Sequence, residues 1–279
     1  MSAPPPMNLT SRRVLLTGAG SGIGRHLALE LATRGGQLVL VGRHGQTLTE
    51  TAAMVGVAGG CAHVLTADLT GAGEPERVVG SAVRLLGGLD VLINNAGNVR
   101  AGRLDEVDTS DILAMLALNL TAPILLTKAA LPHLRAAAAA HGGGAAVLGI
   151  SSGIALVGLP FYTTYAATKA GLARFDEALR RELIGTGIHV ATAYPGATDT
   201  AMMATSQAGH ALGFGRRPVE EVAADIIAGL QAGDAEINTS LRDRRAMQDL
   251  NVTAPLDVDA ALAPQLAEME AATRSHRSI

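Results

Sequence analysis

The sequence is poor in cysteine, in aromatic residues and in charge, and each shortage excludes a class of protein. Cys61 is the single cysteine in 279 residues, so neither an internal disulfide nor a zinc cage made of cysteines can form. The formal net charge of −3 leaves no basic surface for nucleic acid. The single cysteine gives no reason to expect an oxidising compartment, so we expect a cytoplasmic protein. From the net charge we expect that it does not bind nucleic acid.

The apolar runs at the predicted strands are also short. Apolar stretches such as Val14–Leu16 and Leu38–Val41 have the length of strands, whereas a membrane span needs about 20 apolar residues. The stretch Met1–Asn8 is rich in proline and lacks the apolar core of a signal peptide. The eight histidines are scattered and form no paired metal-binding motif. The sequence therefore predicts neither a membrane partner nor a metal site.

The chain instead alternates short β-branched or leucine-rich runs with longer helical patterns. This alternation predicts an α/β fold, a Rossmann-like doubly wound parallel sheet with helices on both faces, in a single domain. The predicted strands are Arg13–Thr17, Gln37–Val41, Cys61–Thr66, Val91–Asn94, Ala145–Ile150 and Ile188–Tyr194. The predicted helices are Ile23–Thr33, Thr47–Met54, Glu74–Leu86, Ile112–Arg135 and Tyr165–Ile184.

The two ends of the chain leave this alternation. The sequence predicts a flexible N-terminal tail at 1–11, a dinucleotide-binding and catalytic domain at 12–240, and a helical extension on the same domain at 241–279. Within the extension, a helix is expected at Ala261–Thr273, with Leu262, Leu266 and Met269 on one side. That apolar side indicates packing on the domain, with a dimer contact as the alternative.

A glycine-rich segment follows the first predicted strand. Gly18, Gly22 and Gly24 form a T-G-x-x-x-G-x-G pattern rather than G-x-G-x-x-G. Such a turn lets backbone N–H groups approach a pyrophosphate, whose charge the N-terminus of the next helix also favours. The residues of this loop expected to bind a dinucleotide are Thr17, Gly18, Gly20, Ser21, Gly22, Ile23 and Gly24.

The end of the second strand indicates which dinucleotide is preferred. NAD-specific sites place an Asp or Glu there to bind the ribose hydroxyls, but here Gly42 occupies that place and Arg43 follows. A guanidinium matches a 2′-phosphate in charge and in its planar fork. NADP(H) is therefore the predicted cofactor, and NAD(H) is the alternative if Arg43 is an ordinary solvated arginine.

Tyr165 and Lys169 are the candidate catalytic pair. They stand four residues apart and share one face of a predicted helix. A free phenol has a pKa of about 10, and a neighbouring ammonium favours the phenolate and lowers that pKa. Tyr165 can then donate a proton to a carbonyl oxygen or accept one from an alcohol. Tyr162 is two helical turns from Lys169, about 10 Å along the axis, which is too far for this effect.

These motifs stand in the order and spacing of the short-chain dehydrogenase/reductase family, which the chain resembles over about residues 12–240. The resemblance implies that Ser152 polarises the substrate oxygen, that Lys169 also binds the nicotinamide ribose, and that Asn119 supports a water relay to Lys169. The alternative for Asn119 is a structural role, as a core amide whose hydrogen bonds are satisfied within the protein. The segments that carry the resemblance are Thr17–Gly24, Asn94–Gly97, Ser152, Tyr165–Lys169 and Pro195–Gly196.

The resemblance also implies further contacts with the cofactor and an assembly. Asp68 is expected at the adenine ring, and the family commonly forms dimers or tetramers through the helices after the fourth and fifth strands. The implied activity is hydride transfer between NADP(H) and a carbonyl or secondary alcohol. The additional cofactor contacts expected are Asp68, Leu69, Asn95, Ala96, Gly97, Pro195, Gly196, Thr198 and Thr200.

Most of the few aromatic residues lie around the catalytic motifs. Phe161, Tyr162 and Tyr194 flank them, and Phe214 lies in the segment where this family has its substrate loop. This concentration predicts an apolar pocket and, as the small-molecule substrate, a hydrophobic ketone or secondary alcohol, with simple core filling as the alternative.

Two other functions explain parts of the sequence. Gly149–Gly153 matches G-x-S-x-G, which would make Ser151 the nucleophile of a hydrolase, but this leaves the glycine loop and the Tyr165/Lys169 pair unexplained. A dinucleotide-binding sensor or scaffold would keep the fold without turnover. The presence of Ser152, Tyr165 and Lys169 together favours an enzyme.

Overall fold

The computed structural model describes residues 7–141 and 144–278, which form a seven-stranded sheet in the order β3-β2-β1-β4-β5-β6-β7. All neighbouring strands are parallel, so the predicted doubly wound sheet is confirmed. The strand order reverses between β1 and β4, and ligands of such sheets bind in the crevice at that point. The strands are β1 Arg13–Thr17, β2 Gln37–Gly42, β3 Cys61–Thr66, β4 Val91–Asn94, β5 Ala145–Ile150, β6 Ile188–Tyr194 and β7 Glu236–Asn238.

Helices connect the strands and cover both faces of the sheet. Short 3₁₀ turns lie at Gly153–Ala155, His210–Leu212 and Ala263–Gln265. A π-helical turn, Ala117–Thr121, separates α4 from α5. The α-helices are α1 Gly22–Ala32, α2 Gly45–Val57, α3 Glu74–Leu86, α4 Thr109–Leu116, α5 Ala122–His141, α6 Thr163–Glu182, α7 Ala201–Ala204, α8 Val219–Ala232, α9 Arg242–Thr253, α10 Pro255–Leu262 and α11 Leu266–Thr273.

The central strands are apolar on both sides because both faces of the sheet are covered. Val14 and Leu16 of β1 point into the cluster formed with α1 and α8, whereas Leu15 points into the cluster formed with α3 and α5. This division follows from the alternation of side chains along a strand. Because neither face of β1 meets solvent, the strand reads as a continuous apolar run rather than an alternating pattern.

The stretch Thr109–Ala140 is long and apolar enough to cross a membrane by length and composition alone, a test that core helices of soluble proteins also pass. Its regularly spaced residues Leu126, Ala130, Leu134 and Ala138 are buried against the sheet. The predicted helix Ile112–Arg135 is therefore present, but the π-helical turn interrupts it.

The N-terminal segment differs from its prediction. Met7 and Leu9, expected in a flexible tail, are buried, and the Met7 N–H donates to Gln231 O at 2.8 Å at the end of α8. Their apolar side chains fill the cluster that α1 and α8 form with the sheet. The remainder of the expected tail, residues 1–6, lies outside the described residues.

The predicted C-terminal helix is divided in two. A 3₁₀ turn at Ala263–Gln265 separates α10 from α11. This turn shifts the helical phase, so Leu262 and Met269 are buried while Leu266 is 42% exposed. The expectation that all three share one packed side is therefore wrong for Leu266.

Candidate active site

A cavity of about 390 Å³ opens where the carboxyl ends of the strands meet at the reversal of strand order. The glycine loop and the ends of β2 and β4 form one part of its wall. The Ser152 loop, the start of α6, the segment after β6 and the C-terminal extension form the rest. One continuous cavity therefore joins the predicted dinucleotide-binding residues to the predicted catalytic residues.

At two glycines of the loop there is no room for a side chain. Gly18 has a left-handed φ of +66°, and a Cβ there would lie 2.7 Å from Asn95 Nδ2. A Cβ on Gly24 would lie 2.2 Å from the carbonyl oxygen of Gly18. Glycine therefore lets the first turn of α1 approach the end of β1. The loop residues lining the cavity are Gly18, Gly20, Ser21, Gly22, Ile23 and Gly24.

Thr17 does not line the cavity, unlike the glycines that follow it. It is buried, and its Oγ1 accepts hydrogen bonds from the backbone N–H groups of Asn95 and Ala96, each at 3.0 Å. Asn95 in turn donates from Nδ2 to the carbonyl oxygens of Thr17 and Gly18, at 2.9 and 3.1 Å. Thr17 therefore fixes the loop to the end of β4, and Asn95, Ala96 and Gly97 form the cavity wall there.

The ends of β2 and β3 place two opposite charges on the rim of the cavity. Arg43 is exposed and forms no hydrogen bond or ion pair with the described residues, although its charge acts on Asp68. The Thr70 N–H and hydroxyl donate to Asp68 Oδ1 and hold the pKa of that carboxyl below its usual range. Leu69 lines the cavity beside Asp68. The Arg43 guanidinium thus retains its donors for a ligand.

Ser152, Tyr165 and Lys169 come together on the cavity wall. Lys169 is buried, its Nζ donates to Ile150 O at 2.8 Å, and it lies 5.9 Å from the centroid of the Tyr165 ring. The Ser152 hydroxyl accepts from the Ile154 N–H at 3.3 Å and interacts with the phenol of Tyr165. The structure therefore brings the three predicted catalytic residues close together.

The protonation of this group differs from the prediction. Burial raises the pKa of Tyr165 to about 12, against a smaller lowering by the Ser152 hydroxyl. The predicted lowering by Lys169 does not determine the direction, because desolvation of the phenol is the larger effect. Burial also lowers the pKa of Lys169 to about 8, against the attraction of Asp176. At neutral pH the fold therefore holds a neutral phenol beside an ammonium.

Asn119 lies in the π-helical turn, fully buried behind the cavity. Its Oδ1 accepts from the Asn98 N–H at 2.8 Å, and its Nδ2 donates to Asn98 O at 2.9 Å and to Thr168 Oγ1 at 3.2 Å. These bonds use the hydrogen-bonding capacity of the side chain, as expected of a satisfied core amide. The side chain of Asn119 also lies close to Gly97, where a Cβ would come within 3.2 Å of its Oδ1.

The structure divides the four aromatic residues predicted at the substrate pocket. Tyr162 and Phe214 line the cavity, with ring centroids 5.9 Å apart, and Tyr162 lies 6.4 Å from Tyr165. The prediction is wrong for Tyr194, whose phenol lies near Glu236 and Arg174, behind the cavity wall. It is also wrong for Phe161, which has a left-handed φ of +68° and packs outside the wall.

The sequence profile of the short chain dehydrogenase family matches residues 12–211. The chain belongs to the short-chain dehydrogenase family. It is 32% identical to an uncharacterized oxidoreductase of Thermotoga maritima, over 70% of this chain and 74% of the relative. It is 34% identical to the ketoacyl reductase HetN of Nostoc, over 67% of this chain and 64% of that protein. A short chain dehydrogenase of Burkholderia cenocepacia, crystallised with NADP, superposes with a TM-score of 0.75 at 29% identity, over 84% and 98% of the two chains.

The segment after β6 in this short-chain dehydrogenase carries the remaining predicted cofactor residues. Pro195, Gly196, Thr198 and Thr200 all line the cavity. Thr200 begins α7, and its Oγ1 accepts from the Met203 N–H at 3.4 Å. A Cβ on Gly22 would meet Thr200 at 3.3 Å, so this segment faces the glycine loop across the cavity.

The hydrolase alternative finds no support in the geometry around Ser151. The Ser151 hydroxyl donates to the carbonyl oxygen of Lys169 at 2.8 Å, and its side chain is buried. His276, a histidine downstream of Ser151, is bound to Tyr162 and to Met202 O. The serine of the G-x-S-x-G match is therefore engaged in a structural hydrogen bond, and no histidine among the described residues activates it in the way a nucleophile requires.

Several cavity residues of the short-chain dehydrogenase were missed because they belong to the C-terminal extension. Leu241, Asp243, Arg244 and His276 all contribute to the wall. His276 Nδ1 lies 2.7 Å from the hydroxyl of Tyr162, and the segment around it is bound to Val99 and Ala101 by backbone hydrogen bonds. No motif marks these residues, and they are far from Tyr165 along the chain, so the sequence carried no signal for them.

Proposed function

We propose that this short-chain dehydrogenase is an NADP(H)-dependent carbonyl reductase or alcohol dehydrogenase acting on apolar substrates. The observation that carries the proposal is the convergence of Ser152, Tyr165 and Lys169 on the same cavity as the glycine loop. A sensor that only binds a dinucleotide would need the loop but not the three polar side chains. A relative named as a ketoacyl reductase supports a carbonyl substrate.

The cavity wall fits a dinucleotide with a 2′-phosphate. Ser21 at the start of α1 makes no side-chain capping hydrogen bond, so the first N–H groups of the helix are available for the pyrophosphate. Arg43 on the rim would bind the 2′-phosphate, and Asp68 and Leu69 would flank the adenine. The NADP-bound relative supports this assignment. When bound, NADP(H) supplies or accepts the hydride.

The three catalytic side chains would then handle the proton. Tyr165 is a neutral phenol at pH 7 because burial raises its pKa to about 12. A protonated phenol is the form that donates to the oxygen of a carbonyl during its reduction. Ser152 would hold that oxygen through its hydroxyl, and the Lys169 ammonium would stabilise the phenolate left behind.

Much of the substrate side of the cavity is apolar. Its wall contains the rings of Tyr162 and Phe214 and the methionines Met202 and Met203. These four side chains favour the burial of hydrocarbon and offer a small polar substrate few hydrogen-bond partners. We therefore expect kcat/KM to be higher for apolar ketones than for polar ketones of the same size.

The proposal is tested by titrating the protein with NADPH and NADH, then by following a panel of carbonyl compounds through cofactor absorbance. Y165F is expected to lower kcat by about 10²- to 10⁴-fold and to leave the Kd for NADPH within threefold. Full turnover by Y165F would contradict the assignment. Binding of NADPH without turnover of any carbonyl or alcohol would favour the sensor.

Arg43 is tested by its effect on the choice of dinucleotide. R43Q is expected to weaken NADPH by about 10- to 100-fold, because a charge-assisted contact to the phosphate is lost. The affinity for NADH should change less than threefold. R84Q, which removes an arginine from α3 away from the cavity, serves as the control. Equal losses for both dinucleotides would place Arg43 outside the 2′-phosphate site.

A further inference from the structure

Two arginines line the cavity, and only Arg43 has a place in the proposed function. The second, Arg244, lies near the start of α9 in the C-terminal extension. Its Cζ is 5.3 Å from the centroid of the Phe214 ring, and Phe214 packs on Tyr162. Arg244 therefore lies at the substrate end of the cavity.

The guanidinium of Arg244 is only partly engaged. Its Nη2 donates to Gly213 O at 2.6 Å, and its Nη1 lies 3.4 Å from Met247 Sδ. A guanidinium carries five N–H donors, so donors remain for a further partner. Among residues 7–141 and 144–278, no carboxylate forms an ion pair with it, whereas Arg217 pairs with both Glu221 and Asp225.

Holding the Arg244 guanidinium half-buried costs free energy when no anion lies beside it. Burial lowers the pKa of Arg244, which shows that the charge is partly withdrawn from water, yet a guanidinium stays ionised in proteins. A half-buried charge without a counter-ion has lost part of its solvation, and a bound anion offsets that loss through Coulomb attraction and hydrogen bonds. Stacking on Phe214 holds the planar group at the cavity wall and offsets part of that loss.

The neighbouring charges leave this end of the cavity receptive to an anion. Burial lowers the pKa of His276, so its ring is neutral at pH 7 and neither attracts nor repels an anion. Asp243 also lines the wall and is exposed, so water screens its negative charge. The charge of Arg244 acts on the phenol of Tyr162 and lowers its pKa against the larger effect of burial.

Two aromatic rings separate Arg244 from Tyr165 in the series of contacts along the cavity wall. The rings of Tyr162 and Phe214 lie between Arg244 and Tyr165, with centroid spacings of 6.4 and 5.9 Å. A carboxylate directly attached to the reacting carbonyl would be held beside Tyr165, at the opposite end of this series of contacts from Arg244. An apolar segment has to separate the two groups, and the methionine and aromatic walls fit such a segment.

We propose that Arg244 binds a carboxylate at the far end of the substrate, so that the preferred substrates are apolar oxo acids with the carbonyl remote from the acid. The preference rests on the proposed function of the same cavity. Arg244 is then a specificity-determining residue that selects the charged end while Tyr165 acts at the other.

The test compares a medium-chain oxo acid, with a remote methyl ketone, and the methyl ester of the same acid. For the wild type, kcat/KM is expected to be about 10- to 100-fold higher for the acid, the range for hydrogen bonds to charged groups, with the difference mainly in KM. R244Q should reduce this acid-to-ester ratio to near one. R242Q removes an exposed arginine from the same helix and should retain the wild-type ratio.

A wild-type ratio near one, or a ratio that R244Q leaves unchanged, would overturn the inference. An equal loss for acid and ester in R244Q would also overturn it, because that pattern assigns Arg244 to holding Gly213 and Phe214 in place. Calorimetric titration with decanoate and methyl decanoate separates the inference from the proposed function. Decanoate binding that is tighter than ester binding and depends on Arg244 would support the carboxylate site even if no carbonyl were reduced, whereas equal binding would contradict it.

Discussion

A buried carboxyl lies two helical turns beyond Lys169, on the same helix. Asp176 is 1% exposed, and its Oδ2 accepts from the Thr192 hydroxyl at 3.1 Å. The strand β5 passes so close that a Cβ on Gly149 would lie 2.0 Å from that oxygen. Burial raises the pKa of Asp176 to about 8, against the opposing effects of Thr192 and Lys169. The carboxyl is therefore largely protonated in the folded protein at neutral pH.

This raised pKa predicts how stability depends on pH. Unfolding releases Asp176 to water, where its pKa is about 4, so between pH 5 and 7.5 the folded state binds a proton that the unfolded state lacks. Stability contributed by this group is present at low pH and is lost as pH rises toward 8. The wild type should lose about 1 kcal/mol per pH unit relative to D176N over that window.

Urea unfolding of both proteins at pH 5 and at pH 7.5 measures the difference. Lys169 does not obscure it, because its pKa is lowered to about 8 and its contribution changes only above that pH. D199N, which removes an exposed carboxylate, should follow the wild type. Parallel stability profiles for the wild type and D176N would show that Asp176 is ionised in the fold.

At the residue scale, local spacing predicted which side chains meet, but not the balance of their charges. Tyr165 and Lys169 were predictable because a helix brings residues four apart onto one face. The direction of the pKa of Tyr165 was not, because it depends on burial by distant segments of the chain. Phe161 was misassigned for a related reason, since the sequence does not reveal its left-handed backbone conformation, and its ring does not line the cavity as that of Tyr162 does.

At the scale of elements, α9 and the end of β7 support the loop that carries Ser152. Gln248 of α9 donates to Gly153 O at 3.1 Å and to Ser240 Oγ at 3.3 Å, and its Oε1 accepts from Asn238 at 2.8 Å. The contact is close, since a Cβ on Gly153 would lie 2.7 Å from Ser240 Oγ. The C-terminal extension therefore positions Ser152 through its neighbour.

Loss of this contact should affect both stability and catalysis. Q248A removes three hydrogen bonds and leaves the carbonyl oxygen of Gly153 buried without Gln248, so unfolding should require about 1–3 kcal/mol less free energy. The Ser152 loop then loses a fixed position, and kcat/KM should fall while the Kd for NADPH stays within threefold. D249A, on the exposed side of the same helix, is the control. Unchanged kcat/KM in a destabilised Q248A would limit Gln248 to a structural role.

The elements that could be predicted were those with strong local patterns. Strands β1 and β3 to β6 have their predicted bounds, and β2 extends one residue further, because most of them are short runs rich in apolar residues. The strand β7 is three residues long and shows no such run. The helix α9 is polar on most of its surface and carries a single buried residue, Gln248, so hydrophobic periodicity could not reveal it.

At the scale of the whole molecule, α4 presents two neighbouring leucines to solvent in the single chain. Leu113 of α4 is 59% exposed and Leu116, one turn further, is 36% exposed. They belong to the helical segment after β4, through which the family resemblance predicts assembly. Large adjacent apolar side chains on a surface are typical of protein interfaces. We expect the chain to form a homodimer or homotetramer that covers this surface.

The double variant L113E/L116E should therefore be smaller in solution than the wild type, because two carboxylates buried without partners oppose association. Light scattering after size-exclusion chromatography should give a multiple of 28.4 kDa for the wild type and a lower multiple for the variant. L256E replaces another exposed leucine, on α10, where no assembly is expected, and should keep the wild-type mass. A monomeric wild type, or a variant of unchanged mass, would show that the leucines of α4 are not an interface. Because the catalytic cavity is built within one chain, Y165F should assemble like the wild type, so assembly and catalysis can be measured separately.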